Sequence, residues 1–494
     1  MFIDNFYPAS NCAAMGNKPS SPIQKCLGSA AKDVVFNTDP LFQLSHVKPY
    51  NLGVPSRPTA VTYPKSTDEI GRIINCAVAS SLKVQARGGG HSYANYAIGG
   101  GEDGTIVVDM KNFQQFSMDE STWQATIGSG TLLGDVTKRL HDNGKRAMAH
   151  GTCPQVGISG HATIGGLGPT SRMWGSSLDH VEEVEVVLAN STVVRASDKQ
   201  NTDIFFAVKG AAAGFGIVTE FKVRTQAEPG QAVLYSYTFA TNAPAAFKQW
   251  QKLISDPELS RKFASQFILT EQLGAVITVI TGAFFGSQQE FDSLNITSRL
   301  PSAAASNIEL KDWLGAIGKW AEDVALQVVG GIQSNFYAKS LAYTKDEIIT
   351  DAAVDKLFNY ISTADKGGAI WFIIWDLEGG AINDIKPDAT AYGHRDALFY
   401  HQAYAVNLLG KVNSTTRKFL TGVNDVITDA LPSHKKGAYA GYVDPALGTD
   451  SASLYWAGNV ERLQRIKADV DPKDVFHNPQ SVRPVKKSAR MRKA

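Results

Sequence analysis

Two glycine-flanked stretches carry residue types that could hold a flat or anionic ligand. The first is Gln85-Ala86-Arg87-Gly88-Gly89-Gly90-His91-Ser92-Tyr93. A strand that ends in three glycines exposes successive backbone N–H groups, and no Cβ blocks the approach of phosphate oxygens. His91 would then sit beside whatever the phosphates belong to. A tight turn carrying an ordinary surface histidine accounts for the same residues. The second stretch is His150-Gly151-Thr152-Cys153-Pro154-Gln155-Val156-Gly157-Ile158-Ser159-Gly160-His161, followed by Gly165-Gly166-Leu167-Gly168. Here the glycines suggest backbone pressed against a flat or anionic ligand. Cys153 is the only cysteine so placed, though a lone cysteine is usually a small buried hydrophobe. A competing signal, Gly128-Ser129-Gly130-Thr131-Leu132-Leu133-Gly134, follows a strand and opens a helix. Its third glycine comes one place late for a dinucleotide fingerprint. No acidic residue ends a second strand about 20 residues on, where a ribose partner belongs.

Short elements must position these groups. Thr59–Tyr63 reads as a strand. Ser66–Ser81 reads as a helix, capped by Ser66 or Thr67, with Ile70, Ile73, Ile74 and Ala77 on one face. Leu82–Ala86 is the strand that feeds the glycine triplet. Further strands are expected at Thr105–Asp109 and Trp123–Ile127, with a helix at Leu132–Leu140. Val181–Ala189 and Thr192–Ala196 form a hairpin across Asn190-Ser191. A short helix at Asp203–Val208 leads through a Gly/Ala loop to the strand Ile217–Val223. Composition shifts at Gln226–Gly230, a plausible domain junction. Long apolar strands follow at Val233–Phe239, Ala275–Phe285, Ile370–Leu377 and Leu398–Ala405. Helices lie between them, one at Pro244–Ile254, then Thr416–Leu431 and Leu454–Ala468. The pattern is α+β, with one broad sheet backed by helices.

The chain has 494 residues, enough for two domains, and 43% hydrophobic against 19% charged residues excludes a mainly disordered chain. A net charge of +1 gives the body no pull toward nucleic acid or anionic membrane. The most apolar run, Leu273–Phe285, is too short to span a bilayer and reads as a buried strand. Four cysteines, with no C-x-x-C pair, suit neither a disulfide scaffold nor a zinc site, so no metal is expected. Residues 1–25 read as a flexible leader. Met15-Gly16-Asn17-Lys18-Pro19-Ser20 fits the myristoylation pattern if translation begins at Met15. Residues 486–494 read as a basic tail.

Taken together, the motifs resemble those of the FAD-linked oxidases of the vanillyl-alcohol-oxidase type, in the berberine-bridge and oligosaccharide-oxidase branch and in fungal-like form. The resemblance runs from about Cys26 to Pro484 and includes the closing stretch Asp471–Val482. It implies a two-subdomain PCMH-type FAD-binding fold over 55–228, a substrate domain over 229–431 with a broad antiparallel sheet, and a berberine-bridge-like segment over 432–485 that returns to the FAD domain. It implies FAD held by two covalent bonds, through His91 to the flavin 8α-methyl and through Cys153 to C6. Imidazole and thiolate are the side chains best able to attack an electrophilic ring near neutral pH. Further cofactor contacts fall to Arg87, Gly88, Gly89, Gly90, Ser92, Thr152, Gly157, Gly160, His161, Gly216, Ile217 and Val218.

The resemblance places the acid–base pair in the second half. Tyr439-Ala440-Gly441-Tyr442-Val443-Asp444 is similar to the family's Y-x-N-Y-x-D, with Gly441 in place of Asn. Tyr442 matches the tyrosine that takes the substrate hydroxyl proton, and Asp376 the carboxylate paired with it. A tyrosine with an ordinary pKa near 10 is a poor base alone, so a carboxylate able to accept the phenolic proton is needed. Tyr93, Ile374, Gln402 and Tyr439 are the implied substrate contacts. Ile374 stands where sugar-oxidising relatives carry Gln, which makes the pocket less sugar-like. The glycines of the flavin loop are replaced by Ala211, Ala212 and Ala213.

The expected activity is oxidation of an alcohol or hemiacetal carbon of a small natural-product intermediate, with dioxygen reoxidising the flavin to give hydrogen peroxide. The alternatives are an oligosaccharide oxidase giving lactones, an oxidative cyclase or dehydrogenase of secondary metabolism, and a flavin-binding protein without turnover. A monomer acting on a small molecule is expected, with no integral membrane segment. Cys26 and Cys76 match a pair that is disulfide-bonded in secreted relatives. The N-terminal stretch has no apolar signal region, so a cytoplasmic protein with this pair close but reduced is expected.

Overall fold

A computed structural model describes residues 21–272, 274–327, 333–431 and 437–485. The myristoylation pattern and the basic tail 486–494 lie outside the described residues. Residues 21–25, expected within the leader, belong to a capped helix. Ser21 caps a helix at Pro22–Ala30 through a reciprocal box with Gln24, and Leu27 and Ala30 are buried in the first core. Ser66 caps the helix Thr67–Ala79, and Ile70, Ile73, Ile74, Cys76 and Ala77 fill the same core. Cys26 and Cys76 join these two helices in a disulfide, Cα–Cα 5.8 Å. The expectation of a reduced pair is therefore corrected.

The first half builds two main sheets and a two-residue ladder between Arg146–Ala147 and Gln226–Ala227. In the smaller main sheet, Val34–Phe36, Ala60–Thr62, Thr105–Asp109 and Lys83–Arg87 lie side by side in that order, and the last three run parallel. Its Lys83–Arg87 strand delivers the glycine triplet. The second sheet is antiparallel, in the order Phe116–Asp119, Gln124–Gly128, Ile217–Arg224, Val181–Val187, Val193–Ser197.

The large sheet begins at Ala232. Seven antiparallel strands lie in the order Ala305–Lys311, Ala232–Phe239, Ala275–Phe284, Phe263–Gln272, Ile370–Leu377, Ala397–Asn407, Asn335–Thr344. Three of these, at 263–272, 305–311 and 335–344, were not expected from the sequence. Alternation of side chains across a strand decides what each face does. Trp371, Ile373, Trp375 and Leu377 point to one face and pack on Phe247 and Trp250 of the helix Ala243–Ile254, Leu357 of Asp351–Thr363 and Phe419 of Ser414–Ala430. Phe372, Ile374 and Asp376 point to the other face. Each large apolar side chain buried on the helix face contributes roughly 1.5–3 kcal/mol. The strand at 275–284 forms as expected, but its first half is open, with Ala275 exposed and Val276 and Ile277 half-buried.

The expected last helix is broken in two, Ser451–Trp456 and Val460–Val470. Ala457 takes a left-handed φ of 49° at the break. Asn459 holds the break to a loop by donating to Pro387 O at 2.8 Å and Thr390 O at 3.0 Å. Beyond it, Lys467 is fully buried and donates to Gly214 O, Asp471 Oδ2 and Phe476 O at 2.6–2.8 Å. That ties the end of the chain to the first half. Among the described residues, no helix is long and apolar enough to cross a membrane.

Candidate active site

A single cleft of about 550 Å³ joins the glycine loops of the first half to the open face of the large sheet. The two glycine motifs form one wall. Gly89 and Gly157 meet backbone to backbone: a Cβ on either would strike the main-chain nitrogen of the other. Only glycine permits this approach, and at these two positions the chain brings no side chain to the cleft. Gly88, Gly89, Gly90, His91, Ser92, Thr152, Cys153, Gly157, Gly160, His161, Gly216 and Val218 all line the cleft. A Cβ on Gly160 would meet only open space, and Ser92 Oγ accepts from Tyr96 N at 3.1 Å. Backbone N–H groups on a Cβ-free wall, together with an imidazole and a thiol, fit an anionic dinucleotide carrying an electrophilic ring.

Two expected cofactor contacts are not brought to the cleft. Arg87 is buried behind it, bonded to Asp109 Oδ2 at 2.6–2.7 Å and to Val47 O at 2.7 Å, so it braces the strand. Ile217 sits fully buried in the core beneath the smaller sheet. None of Ala211, Ala212 and Ala213 has a positive φ, so alanine is tolerated at all three positions. Ala211 and Ala212 have ordinary negative φ, and the left-handed turn falls on Gly210, φ 145°.

Electrostatics at the two candidate attachment points differ from expectation in one respect. His91 stacks on Tyr50 with ring centroids 4.7 Å apart, and burial lowers its pKa, which keeps its imidazole neutral and nucleophilic. Burial pushes Cys153 up to about 11, so it stands as a thiol near neutral pH rather than the expected thiolate. His161 is pushed down to about 3 by burial and by neighbouring His150, and its Nε2 accepts from Gly151 N at 2.9 Å.

The opposite wall is the sheet. Tyr442 donates its phenolic proton to Asp376 Oδ2 at 2.9 Å. Gln402 Nε2 donates to the same oxygen at 3.2 Å, and Gln266 Nε2 donates to Oδ1. Asp376 is buried, and burial raises its pKa although the three donors pull it down. Burial, then the Asp376 charge, holds Tyr442 well above an ordinary phenol. Tyr439 accepts from Gly166 N at 2.9 Å, and its ring lies edge-on to Tyr442 at 5.0 Å. A Cβ on Gly441 would strike the Tyr439 ring, so an Asn there would displace Tyr439. Ile374 joins Ile268, Phe336, Phe372 and Tyr404 in an apolar patch against which Tyr93 packs.

The sequence did not point to Gln266 or Glu378, nor to a polar row that leads away from Asp376. In sheet register, Asp376 faces Gln266, which faces Thr281, then Ser236, then Asn307, and all five line the cleft. Of the five, only Asp376 is a lone polar residue in an otherwise apolar strand, and the row has meaning only once strand order is known.

Known proteins are similar to this chain over most of its length. Residues 58–197 match a family model described as an FAD binding domain, and residues 438–483 match one described as berberine and berberine like. The FAD-linked oxidoreductase sorD of Penicillium rubens is 41% identical over 89% of this chain and 93% of its own length. The glucooligosaccharide oxidase of Sarocladium strictum is 34% identical over 88% of this chain and 89% of its own length. A solved structure of the glucooligosaccharide oxidase from Acremonium strictum, whose description names a 6-S-cysteinyl, 8α-N1-histidyl FAD, superposes with a TM-score of 0.85 at 31% identity, covering 94% of this chain and all of that one. With the fold, both sequence motifs and relatives of this identity in agreement, the chain belongs to the FAD-linked oxidases that combine an FAD-binding domain with a berberine-like C-terminal segment.

Proposed function

We propose that this FAD-linked oxidoreductase oxidises a CH–OH carbon to a carbonyl, with Tyr442 and Asp376 removing the hydroxyl proton. The observation that carries the reading is the 2.9 Å bond from Tyr442 to a buried carboxylate at the cleft wall. Tyr442 cannot ionise alone in this setting. Its proton moves to Asp376 as it takes the substrate's proton, so Asp376 is the final acceptor and Tyr442 the relay. Burial that raises the Asp376 pKa makes this transfer less uphill. Gln266 and Gln402 hold both carboxylate oxygens in place. FAD, when bound, supplies the hydride acceptor and passes the electrons to dioxygen, yielding hydrogen peroxide. The residues assigned to hold it are the cleft-lining glycines, Ser92, Thr152, His161 and Val218, with covalent bonds to His91 and Cys153. The raised Cys153 pKa means that the thiol must lose its proton before its sulfur can bond to the ring. The flavin domain is assigned to 55–228 with 432–485, the substrate domain to 229–431, and the chain is taken as a monomer.

For substrate, we infer a small natural-product alcohol, because Ile374 and its aromatic neighbours give the reacting end an apolar wall. One observation favours an oligosaccharide instead. The polar row from Asp376 to Asn307 crosses four strand spacings, roughly 19 Å at about 4.8 Å each, and Trp320 lines the same cleft. That would accommodate several hydroxylated rings in line. The disulfide supports passage through an oxidising compartment rather than the cytoplasm. Anaerobic mixing of the yellow holoenzyme with cellobiose, xylobiose and a set of aryl carbinols tests the reading. Bleaching by the carbinols alone supports the natural-product substrate, and bleaching by the sugars replaces it with the oligosaccharide. No bleaching by any alcohol overturns CH–OH oxidation.

A further inference from the structure

Two carboxyl groups stand two residues apart at the end of the strand Ile370–Leu377, in opposite environments. Asp376 receives three hydrogen bonds, from Tyr442, Gln402 and Gln266. Glu378 receives none at Oε2, although it is only 4% exposed and lines the same cleft. Its backbone is fixed: the N–H donates to Leu398 O at 2.7 Å, and the C=O accepts from Arg172 Nη1 at 2.5 Å. Arg172 also donates from Nε to Phe263 O at 2.8 Å, so this guanidinium is directed at main chain and not at the Glu378 carboxyl. The groups that sense Glu378 are Asp376 on its own strand, Arg172, and the buried phenols Tyr392, Tyr400, Tyr439 and Tyr442. Burial, then the Asp376 charge, pushes the Glu378 carboxyl well above its usual range, and Arg172 only partly opposes this.

A buried carboxylate without a donor is costly, whereas a buried carboxylic acid carries one O–H to give. We propose that Glu378 is a specificity-determining residue that donates a hydrogen bond to an uncharged acceptor oxygen on the substrate, close to the reacting carbon. The same environment that keeps Asp376 ready to take a proton thus keeps its neighbour ready to give a hydrogen bond. The ligand class that follows is a carbinol with a nearby carbonyl or ether oxygen, such as an α-hydroxyketone. A cationic amine is disfavoured, since it would need Glu378 ionised beside an ionised Asp376. The inference rests on the CH–OH reading above.

The test uses the holoenzyme and two matched probes, benzoin and 1,2-diphenylethanol, which differ by one carbonyl oxygen. Binding is read from the shift of the oxidised flavin spectrum, and turnover from anaerobic bleaching. Wild type is expected to bind benzoin about 10–100-fold more tightly, the range for one buried hydrogen bond. Glu378→Gln, which keeps a donor, should hold that ratio within about threefold. Glu378→Leu should bring it to about one. Infrared difference spectra of wild type against Glu378→Gln at neutral pH should show the loss of a protonated-carboxyl band. This reading is independent of Glu378→Leu folding. A carboxylate band in its place, a wild-type ratio near one, or binding of neither probe overturns the proposal. Binding with the expected ratio but no bleaching would count against CH–OH oxidation and still support the donor role.

Discussion

Replacing Tyr442 by Phe removes one oxygen and leaves the rest of the wall standing. The ring keeps its edge-on contact with Tyr439 at 5.0 Å, and Asp376 keeps its donors Gln266 and Gln402. The cost to folding is one hydrogen bond to a charged acceptor, about 1.5–3 kcal/mol, so the variant should fold and keep its flavin spectrum. The cost to chemistry is larger. Without the phenolic oxygen, the substrate proton has no relay to a carboxylate held 2.9 Å behind it. Flavin reduction should slow on the order of 10²–10⁴-fold, or about 2.7–5.4 kcal/mol of barrier at 1.36 kcal/mol per decade. Asp376→Asn should give a loss of the same order. The double variant should fall little further, since the two groups act as one unit. The assay is anaerobic stopped-flow reduction at saturating substrate, with substrate affinity read separately. Rates within a few-fold of wild type for Tyr442→Phe, or simple multiplication of the two single losses, would refute the relay.

Three further outcomes follow from the same structure. Reduction requires ionised Asp376, so its rate should hold on the alkaline side and fall as pH drops through that group's raised pKa; a stopped-flow pH profile checks this, and Asp376→Asn should lack the acid limb. The Cys26–Cys76 bond closes a span of 50 residues, so Cys26→Ser/Cys76→Ser should lose up to about 4 kcal/mol in urea unfolding by the chain-entropy relation, and protein quenched directly from its host should resist thiol labelling at both positions. Arg395 and Asp179 form a bidentate pair at 2.8–2.9 Å, with side chains 1% and 2% exposed; Asp179→Leu alone should cost about 3–5 kcal/mol, and adding Arg395→Met should restore part of it, as measured by denaturant midpoints.

The cofactor wall was more legible in the sequence than the substrate wall, for a physical reason. Gly88, Gly89, His91, Cys153 and Gly157 lie in two contiguous stretches whose backbone chemistry is local, so spacing alone suggested a ligand. The proposed acid–base pair was visible only by resemblance, because Asp376 and Tyr442 are 66 residues apart and meet only in the folded chain. Arg87 and Ile217 were misplaced because a motif does not reveal on which side of a strand a residue lies. Arg87 points back to Asp109, and Ile217 into the core. Gln266 lies on a strand the sequence reading did not find. Its neighbours Phe263, Phe267 and Leu269 are fully buried, and a single Gln among them gave no local sign of facing Asp376. Glu378 follows the expected strand directly, yet a Glu before two glycines reads as an exposed turn until Leu398, Arg172 and the tyrosines close over it. The reduced-cysteine expectation failed because it weighed the missing signal region above the helix packing that brings Cys26 to Cys76.

Acid precipitation of the native holoenzyme, followed by peptide mapping, bears on the flavin site with the least inference. Flavin bonded to both residues gives a yellow precipitate and no free FAD in the supernatant. Peptides containing His91 and Cys153 should be recovered joined through one FAD, each single alanine variant should keep one bond, and His91→Ala/Cys153→Ala should keep none. A colourless precipitate with all of the FAD in solution would contradict this attachment.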